Sequence, residues 1–312
     1  MGEPFAPGSV SLRLYPHNEL SAGGVVDELC AQAKLGLDSG FDGIMLSEHH
    51  GGFAGYLPNP LQMSTFILGD NRSGWVAPCP LLLPLRPTAM LAEEVAWLHA
   101  RYPGRVGLGV AIGGLPADFE AMDVPFEEAV PRFTAELPRI VAMLRGEDLG
   151  PLADDPALRA CATSPVRVLS AALSTAAARR AAAAGAGLVL EGMSTTDRLA
   201  AVCAANRDAG GDQPIVLIRR VWLGSARADL VEQQRAVYAG YATGDHVTGV
   251  DQTIATDDPA ALADQLAAAL RDTGATALNL RVHLPGITPD DARAQIAAIG
   301  GDVVPRLRPL LA

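Results

Sequence analysis

Short runs of β-branched and apolar residues alternate with longer segments of helical spacing along the whole 312-residue chain. The first kind has the length and composition of a buried strand, and the second has the spacing of an amphipathic helix. The predicted strands are residues 9–15, 43–47, 74–83, 106–112, 166–171, 187–191, 215–223 and 277–283. The predicted helices are residues 24–39, 60–68, 88–101, 126–144, 175–184, 196–209, 226–242, 259–272 and 289–310.

Strand-then-helix units in succession imply parallel strands. Eight such units in a chain of this length favour an α/β fold of the (β/α)8 TIM-barrel type over an open sheet. No linker, low-complexity tract or charge block divides the sequence, so residues 1–312 are predicted to form a single barrel domain. Short insertions are expected, and the irregular stretch 148–164 is one of them.

Several helix boundaries carry local signals. Ser174, Asp258 and Thr288 stand where an N-cap is expected, and the last two precede a proline at the first helical position. Glycines follow three of the helical patterns, as they do in left-handed C-terminal caps. These glycines are Gly185, Gly210 and Gly274.

The charge balance narrows the classes of partner. With 24 Lys+Arg against 35 Asp+Glu, the formal net charge is -11, which disfavours nucleic acid and anionic membranes. The N-terminus lacks the pattern of a signal peptide, and the apolar runs are too short or too broken to span a bilayer. Four separated cysteines without a CxxC motif indicate no disulfide framework. The sequence therefore predicts a cytoplasmic protein.

Functional groups of such a barrel gather at the carboxyl ends of its strands. Glu48, His49 and His50 follow the second predicted strand and form the sharpest cluster, because a carboxylate and two imidazoles can move protons near neutral pH. Alternatively, one of the two histidines only makes hydrogen bonds within a loop. The other strand-end candidates are Cys79, Pro80, Gly113, Ser174, Thr175, Glu191, Gly192, Met193, Arg219, Arg220, Arg281 and His283.

Other roles are conceivable for the histidines, the glycines and the hydroxyl residues at these strand ends. The histidines at strand ends (His17, His49, His50 and His283) could bind a metal, but no HxH pair follows the first strand and no acid ends the eighth, so no metal is predicted. The glycines of segment 107–114 lack the spacing of a dinucleotide loop and lie within a strand. Ser174 and Thr175 stand at the start of a predicted helix. This position could bind a phosphate group, or Ser174 could serve only as the N-cap of the helix.

A set of motifs in fixed order resembles the bacterial luciferase-like family of flavin- or F420-dependent (β/α)8 oxidoreductases. The motifs are residues 40–50 (GFDGIMLSEHH), 58–60 (PNP), 81–84 (LLLP), 91–94 (LAEE), 104–110 (GRVGLGV), Ser174 before an Ala-rich helix, 220–224 (RVWLG) and 303–307 (VVPRL). The resemblance covers nearly the whole chain. It implies a reduced isoalloxazine ring at the carboxyl-end mouth of the barrel.

The resemblance also implies roles for the strand-end residues. His49 matches the catalytic histidine of the family, Glu48 matches the carboxylate beside the flavin, and His50 supports them. The cofactor is expected to contact the strand ends at Cys79, Pro80, Gly113, Ser174, Thr175, Glu191, Gly192 and Met193. Family members often carry a cis peptide on the third strand. Because cis costs only about 0.5–1 kcal/mol before proline, we predict a cis Cys79-Pro80 bond.

Two departures from the family concern the cofactor phosphate. Ile112 stands where luciferases have an arginine, and Ala177 replaces a second hydroxyl residue. Phosphate binding would then depend on Ser174, the Thr175 N–H and one of Arg219 and Arg220.

The resemblance leads to three functional hypotheses. The first is a monooxygenase that uses O2 and reduced FMN, supplied by a separate flavin reductase, on a small organic substrate. The second is an F420-dependent hydride-transfer oxidoreductase, and the third is a flavin-binding barrel without turnover. A homodimer formed through the second and third helices is expected. Candidate substrate-pocket residues are His17, Phe53, Tyr56, Met193 and His283.

Overall fold

The computed structural model describes residues 2–51, 55–192, 194–225, 227–241 and 253–311. No helix in these ranges is both long enough and apolar enough to cross a membrane.

Parallel strands form the centre of the molecule. The strands are β1 (Val10–Leu14), β2 (Gly43–Leu46), β3 (Trp75–Pro78), β4 (Leu81–Leu82), β5 (Leu108–Ala111), β6 (Val168–Ala171), β7 (Gly187–Leu190), β8 (Ile215–Leu223), β9 (Ile254–Thr256) and β10 (Ala277–Arg281). Their hydrogen-bonded order is β3-β2-β1-β10-β8-β7-β6-β5-β4, and β9 pairs with β8 off this path.

The two ends of this order belong to one stretch of chain. The third predicted strand is interrupted at Cys79-Pro80, so β3 and β4 are its two halves: β3 pairs with β2 and β4 pairs with β5. Val76 of β3 also bridges Val106, just before β5. The sheet therefore curls into a nearly closed barrel, and the predicted (β/α)8 TIM-barrel fold is confirmed.

Helices follow the strands on the outside of the barrel. They are α1 (Ala22–Asp38), α2 (Pro60–Asp70), α3 (Thr88–Arg101), α4 (Pro116–Glu120), α5 (Ala129–Met143), α6 (Pro156–Ala160), α7 (Thr175–Ala183), α8 (Thr196–Asp208), α9 (Ala228–Tyr241), α10 (Pro259–Thr273), α11 (Pro289–Ala298) and α12 (Val304–Leu311). A π-helical turn, Ile299–Val303, joins α11 to α12. The sequence predicts none of α4, α6 and β9, because elements of three to five residues show no measurable periodicity.

The predicted caps are confirmed. The side chains of Ser174, Asp258 and Thr288 each accept a hydrogen bond from a backbone N–H in the first turn of α7, α10 and α11. Gly185, Gly210 and Gly274 have φ values of 71°, 83° and 72°, in the left-handed region. These local signals set the lengths of the helices and hence where the following strands begin.

Two apolar layers result from the alternation of side chains along the strands. One lies between strands and helices and includes Leu12 and Leu217. The other fills the barrel, with Phe5 against Trp75 at the amino end of the strands, where the ring centroids are 5.1 Å apart. Because this end is filled with large side chains, the opposite end of the barrel carries the polar groups.

A close approach inside the barrel makes Gly109 a sensitive position. A Cβ on Gly109 would lie 2.0 Å from Cys79 Sγ, whereas a Cβ on Gly114 would meet nothing within 4 Å. Gly109→Ala is expected to lower the free energy of unfolding by about 1–3 kcal/mol, the usual cost of overpacking. Gly114→Ala, the matched control, is expected to change it by less than about 1 kcal/mol. Urea unfolding measures both, and equal effects would contradict the steric explanation.

Candidate active site

The Glu48-His49-His50 segment leaves β2 at the carboxyl-end mouth and is held there by backbone hydrogen bonds. Glu48 N donates to Pro80 O (3.1 Å), and His49 N donates to Leu57 O (3.0 Å). These bonds fix the segment between the β4 side of the mouth and the chain that leads into α2.

His49 forms a close pair with Asp118, which sequence reasoning missed. The distance from His49 Nδ1 to Asp118 Oδ2 is 2.7 Å, and Asp118 Oδ1 accepts from His50 N at 2.6 Å. The Asp118 side chain is 1% exposed and that of His49 is 20% exposed. A buried carboxylate at Nδ1 holds the ring and the Nδ1–H tautomer, which makes Nε2 the nitrogen that can accept a proton. The sequence offered one signal for Asp118, because it is a carboxylate in the segment that follows β5.

The Glu48 carboxylate binds other groups at the mouth. Its Oε2 accepts from Leu82 N (2.5 Å), and its Oε1 lies 3.1 Å from His50 Nε2 and also accepts from Arg86. The Glu48 side chain is fully buried. The structure thus divides the predicted trio: Glu48 and His50 pair with each other, and Asp118 is the carboxylate beside His49.

The peptide bond between Cys79 and Pro80 is cis, as predicted. Cys79 is fully buried and its carbonyl oxygen accepts from Arg13 Nη1 (3.0 Å). Burial raises the pKa of the Cys79 thiol to about 12, against a smaller opposing effect of Arg13. The thiol is therefore protonated at neutral pH, while Pro80 is half-buried at the mouth.

Rings of tyrosine and histidine line part of the mouth. Tyr56 lies edge-on to His49 and to Tyr15, with centroid distances of 4.5 and 5.1 Å, and His283 stacks on Tyr15 at 5.3 Å. His17 is 5.2 Å from His283. Burial, with smaller effects of Arg281 and His17, lowers the pKa of His283 well below its ordinary value, so His283 is neutral at pH 7. Phe53, another pocket candidate, lies outside the described residues.

The predicted phosphate side lies at the ends of β5 and β6, which are neighbours in the sheet. Gly113 has φ 89°, and a Cβ there would lie 2.8 Å from the Phe119 ring. Ser174 caps α7, whose first residue is Thr175. Arg198, on α8, donates from Nη2 to Leu173 O at 2.9 Å. Sequence reasoning missed this guanidinium, which comes from the next helix and binds the residue just before the N-cap of α7.

The remaining candidates either follow β7 in the chain or belong to β8. Glu191 Oε1 accepts from Ser194 Oγ (2.5 Å), and a Cβ on Gly192 would lie 3.2 Å from Ile218 O. Met193 lies outside the described residues. Arg219 is 1% exposed, and its burial lowers its pKa to about 10 despite the opposing charge of Glu191.

No group of three or more His, Cys, Asp or Glu side chains among the described residues is arranged to hold a metal ion.

The pattern described as luciferase-like monooxygenase matches residues 9–302. The chain belongs to this family. The expected family resemblance is thus confirmed across most of the chain. Uncharacterised proteins of Mycobacterium tuberculosis and Mycobacterium bovis are each 34% identical to this luciferase-like protein over 109 residues, which is 33% of the chain and only 38% of each relative.

Solved structures share the barrel. Monooxygenase RslO1 from Streptomyces bottropensis has a TM-score of 0.75 at 18% identity and covers 95% of this chain and 99% of its own. The oxygenating constituent of 3,6-diketocamphane monooxygenase from Pseudomonas putida, in complex with FMN, has a TM-score of 0.72 at 16% identity (97% and 99% covered). An F420-dependent secondary alcohol dehydrogenase has a TM-score of 0.71 at 14% identity (98% and 99% covered). At these identities the likeness shows the fold.

Proposed function

We propose that this luciferase-like protein is an oxidoreductase that uses reduced FMN and O2 to oxidise a small organic substrate at the carboxyl-end mouth of the barrel. The observation that carries the proposal is the His49–Asp118 pair, in which a buried carboxylate holds an imidazole that is part-exposed at the mouth. Such a pair provides a group that can both accept and donate a proton.

The residues present fit a flavin phosphate. The left-handed backbone at Gly113 leaves no room for a side chain, and the first turn of α7 offers backbone N–H groups beside Ser174 and Thr175. Arg198 brings a positive charge to Leu173, just before this helix start, and this charge would compensate for Ile112 in place of the arginine found in luciferases. When bound, reduced FMN supplies the electrons with which O2 is activated.

The protein's own groups then have separate tasks. His49 Nε2 takes or gives a proton at the reacting atoms, and Asp118 holds the ring by its Nδ1. Glu48 binds the Leu82 N–H, Arg86 and His50. These contacts hold the Glu48-His49-His50 segment, and with it the His49 imidazole, in position. Tyr15 and Tyr56 form an aromatic wall that keeps bulk water from the reacting atoms.

The first test is anaerobic binding of reduced FMN and of F420 to the purified protein, measured side by side. Reduced FMN is expected to bind, and O2 consumption is expected when a separate flavin reductase supplies it. Tight binding of F420 without FMN would replace the proposal with hydride transfer. Tight flavin binding with no turnover in any substrate screen would support a binding barrel.

The phosphate contacts predict a discrimination between FMN and riboflavin. Arg198→Gln and Ser174→Ala are each expected to weaken reduced-FMN binding about tenfold, the value of one charge-assisted hydrogen bond, and to leave riboflavin binding unchanged. Arg207→Gln, at the other end of α8, serves as the control and is expected to alter neither. Equal losses for FMN and riboflavin would show that the variants act on the fold and not on the phosphate.

We also propose a homodimer through α2 and α3. Met90 and Trp97, on one face of α3, are 56% and 54% exposed, and Phe66 on α2 is 41% exposed. Trp97→Glu is expected to raise the dimer dissociation constant at least tenfold, as loss of a central aromatic anchor does. Sedimentation equilibrium measures this. Leu310→Glu, a change at an apolar residue of α12 that is 42% exposed, is the control, and a monomeric wild type would refute the proposal.

A further inference from the structure

Arg13 brings a positive charge into the barrel, close to the mouth. In the parallel register Arg13 of β1 pairs with Met45 of β2, which belongs to the interior apolar layer. Paired residues of parallel strands point to the same face of the sheet, so the Arg13 side chain lies inside the barrel. Arg13 is 2% exposed, and its charge is therefore held out of water.

The Arg13 guanidinium extends toward the carboxyl ends of the strands. Its Nη1 donates to Cys79 O at 3.0 Å and to Ser47 Oγ, and these two residues directly follow β3 and β2. Cys79 is joined to Pro80, which is half-buried at the mouth. The guanidinium thus lies at the bottom of the mouth, between the interior apolar layer and the strand ends.

Neutral groups fix the guanidinium in this position. Arg13 Nε donates to Asn279 Oδ1 at 2.6 Å, and Asn279 Nδ2 lies 2.9 Å from Ser11 Oγ. Because the Ser11 hydroxyl donates to Leu278 O (3.1 Å), it accepts from the Asn279 amide, and the amide oxygen faces Arg13. The network that holds the charge therefore contains no anion.

The groups that Arg13 contacts provide no counter-charge. Its acceptors are an amide, a hydroxyl and a carbonyl oxygen, and in the described part of the chain its Nη2 is buried without a hydrogen-bond partner. A buried cation without an anion is unfavourable, because neutral groups replace its hydration only in part. A negative charge in the mouth above Arg13 is therefore stabilised.

Tyr15 shows that the charge of Arg13 acts on the mouth. Burial raises the pKa of the Tyr15 hydroxyl. The charges of Arg281 and Arg13 oppose this effect, as do a hydrogen bond with Tyr56 and the charge of Arg220, and the pKa lies below its ordinary value overall. Arg281 and Arg220 lie at the level of Arg13, on β10 and β8. Arg13 thus favours negative charge on a group that lines the mouth.

The cofactor of the proposed function changes its charge with its redox state. The ring of oxidised FMN is neutral, whereas the reduced ring loses a proton near neutral pH and becomes an anion. A charge beside the ring is one means by which a protein tunes a flavin. Because the phosphate is the same in both states, a group that distinguishes them has to act on the ring.

We propose that Arg13 stabilises the negative charge of the reduced flavin ring, so that the barrel binds reduced FMN more tightly than oxidised FMN. The inference rests on the proposed function, because it takes the flavin ring to bind in this mouth. Such a preference suits an enzyme that receives reduced flavin from a separate reductase, because the oxidised flavin left after turnover is then released.

The test is calorimetric titration of the purified protein with oxidised FMN and, without O2, with chemically reduced FMN. In the wild type the dissociation constant of oxidised FMN is expected to be at least about tenfold that of reduced FMN. Arg13→Gln is expected to lower this ratio about tenfold, and Arg13→Lys, which keeps the charge, is expected to retain most of it. Thermal melting checks that each variant is folded.

Two further variants are controls. Arg105 lies at the amino end of the barrel and also donates to neutral acceptors, the carbonyl oxygens of Gly74 (2.6 Å) and Ser73 (2.9 Å). Arg105→Gln removes the same charge as Arg13→Gln and is expected to leave the ratio unchanged. Arg198→Gln is expected to weaken the binding of both forms alike, because the phosphate is common to them.

Three results would overturn the inference: equal affinities of the wild type for the two forms, a folded Arg13→Gln variant that keeps the preference, or an equal loss of preference in Arg105→Gln. The first of these needs no variant. If reduced FMN binds and O2 is consumed without any preference for the reduced form, only this inference fails. If Arg13→Gln abolishes a preference of the wild type and no substrate is oxidised, only the proposed function fails. If neither form of FMN binds, both fail.

Discussion

Replacement of His49 by alanine is expected to lower kcat by about 10²–10⁴-fold, the contribution of one positioned proton-transfer group. The physical reason is that His49 is the imidazole at the mouth whose Nδ1 is held by a buried carboxylate, 2.7 Å away. The affinity for reduced FMN is expected to stay nearly unchanged, because the phosphate side lies on other strands. Stopped-flow turnover with chemically reduced FMN, together with equilibrium flavin binding, measures both quantities.

Asp118→Asn tests whether Asp118 holds the His49 ring in place. The amide cannot stabilise charge on the ring, and kcat is expected to fall about tenfold or more with little change in KM. His99→Gln is the control for His49→Ala, because His99 is a buried histidine in the last turn of α3, where it contacts Ser164 Oγ at 2.9 Å. His99→Gln is expected to cost stability and to keep kcat. If the control lowers kcat as much as His49→Ala does, the assignment of His49 is wrong.

Glu48→Gln is expected to lower the free energy of unfolding by about 3 kcal/mol, the lower end of the range for breaking a buried ion pair. The carboxylate is fully buried and joins Arg86, His50 and the Leu82 N–H, so its loss leaves a guanidinium without its counter-charge. The effect stays at the lower end since the Arg86 side chain keeps 21% exposure.

The control for Glu48→Gln is Asp38→Asn. Asp38 pairs with Lys34 on α1, and their side chains are 57% and 62% exposed. A pair in water contributes less than about 1 kcal/mol, so this change is expected to move the urea midpoint only slightly. Equal shifts of the urea midpoint in the two variants would show that the buried ion pair of Glu48 stabilises the fold no more than an exposed pair does.

Much of the fold could be predicted because its signals are local. α3 begins at Thr88 and ends at Arg101 as the sequence indicates, and β8 likewise runs from Ile215 to Leu223. Proline and glycine define these boundaries whatever the chain contacts later. The break of the third strand at Cys79-Pro80 was not predicted. The ladder is interrupted there at a cis bond, and the two halves of the strand pair with different neighbours.

Only part of the candidate site could be predicted from the sequence. Glu48, His49 and His50 stand out because they are adjacent and follow a strand. Asp118 does not stand out, since it lies 69 residues from His49 on a five-residue helix. Arg198 was missed for a similar reason, because it reaches Leu173, just before α7, only through the packing of α8 beside α7.

The alternation of strands and helices, the helix caps, the barrel class and the family could all be predicted from the residues alone. These depend on periodicity and on backbone preferences, which act over a few residues. The folded structure was needed to see which carboxylate holds His49, which groups Glu48 binds, and that Arg13, Arg220 and Arg281 lie at one level of the barrel. Those facts depend on strand register and helix packing, which bring together side chains as far apart as Arg13 and Arg281.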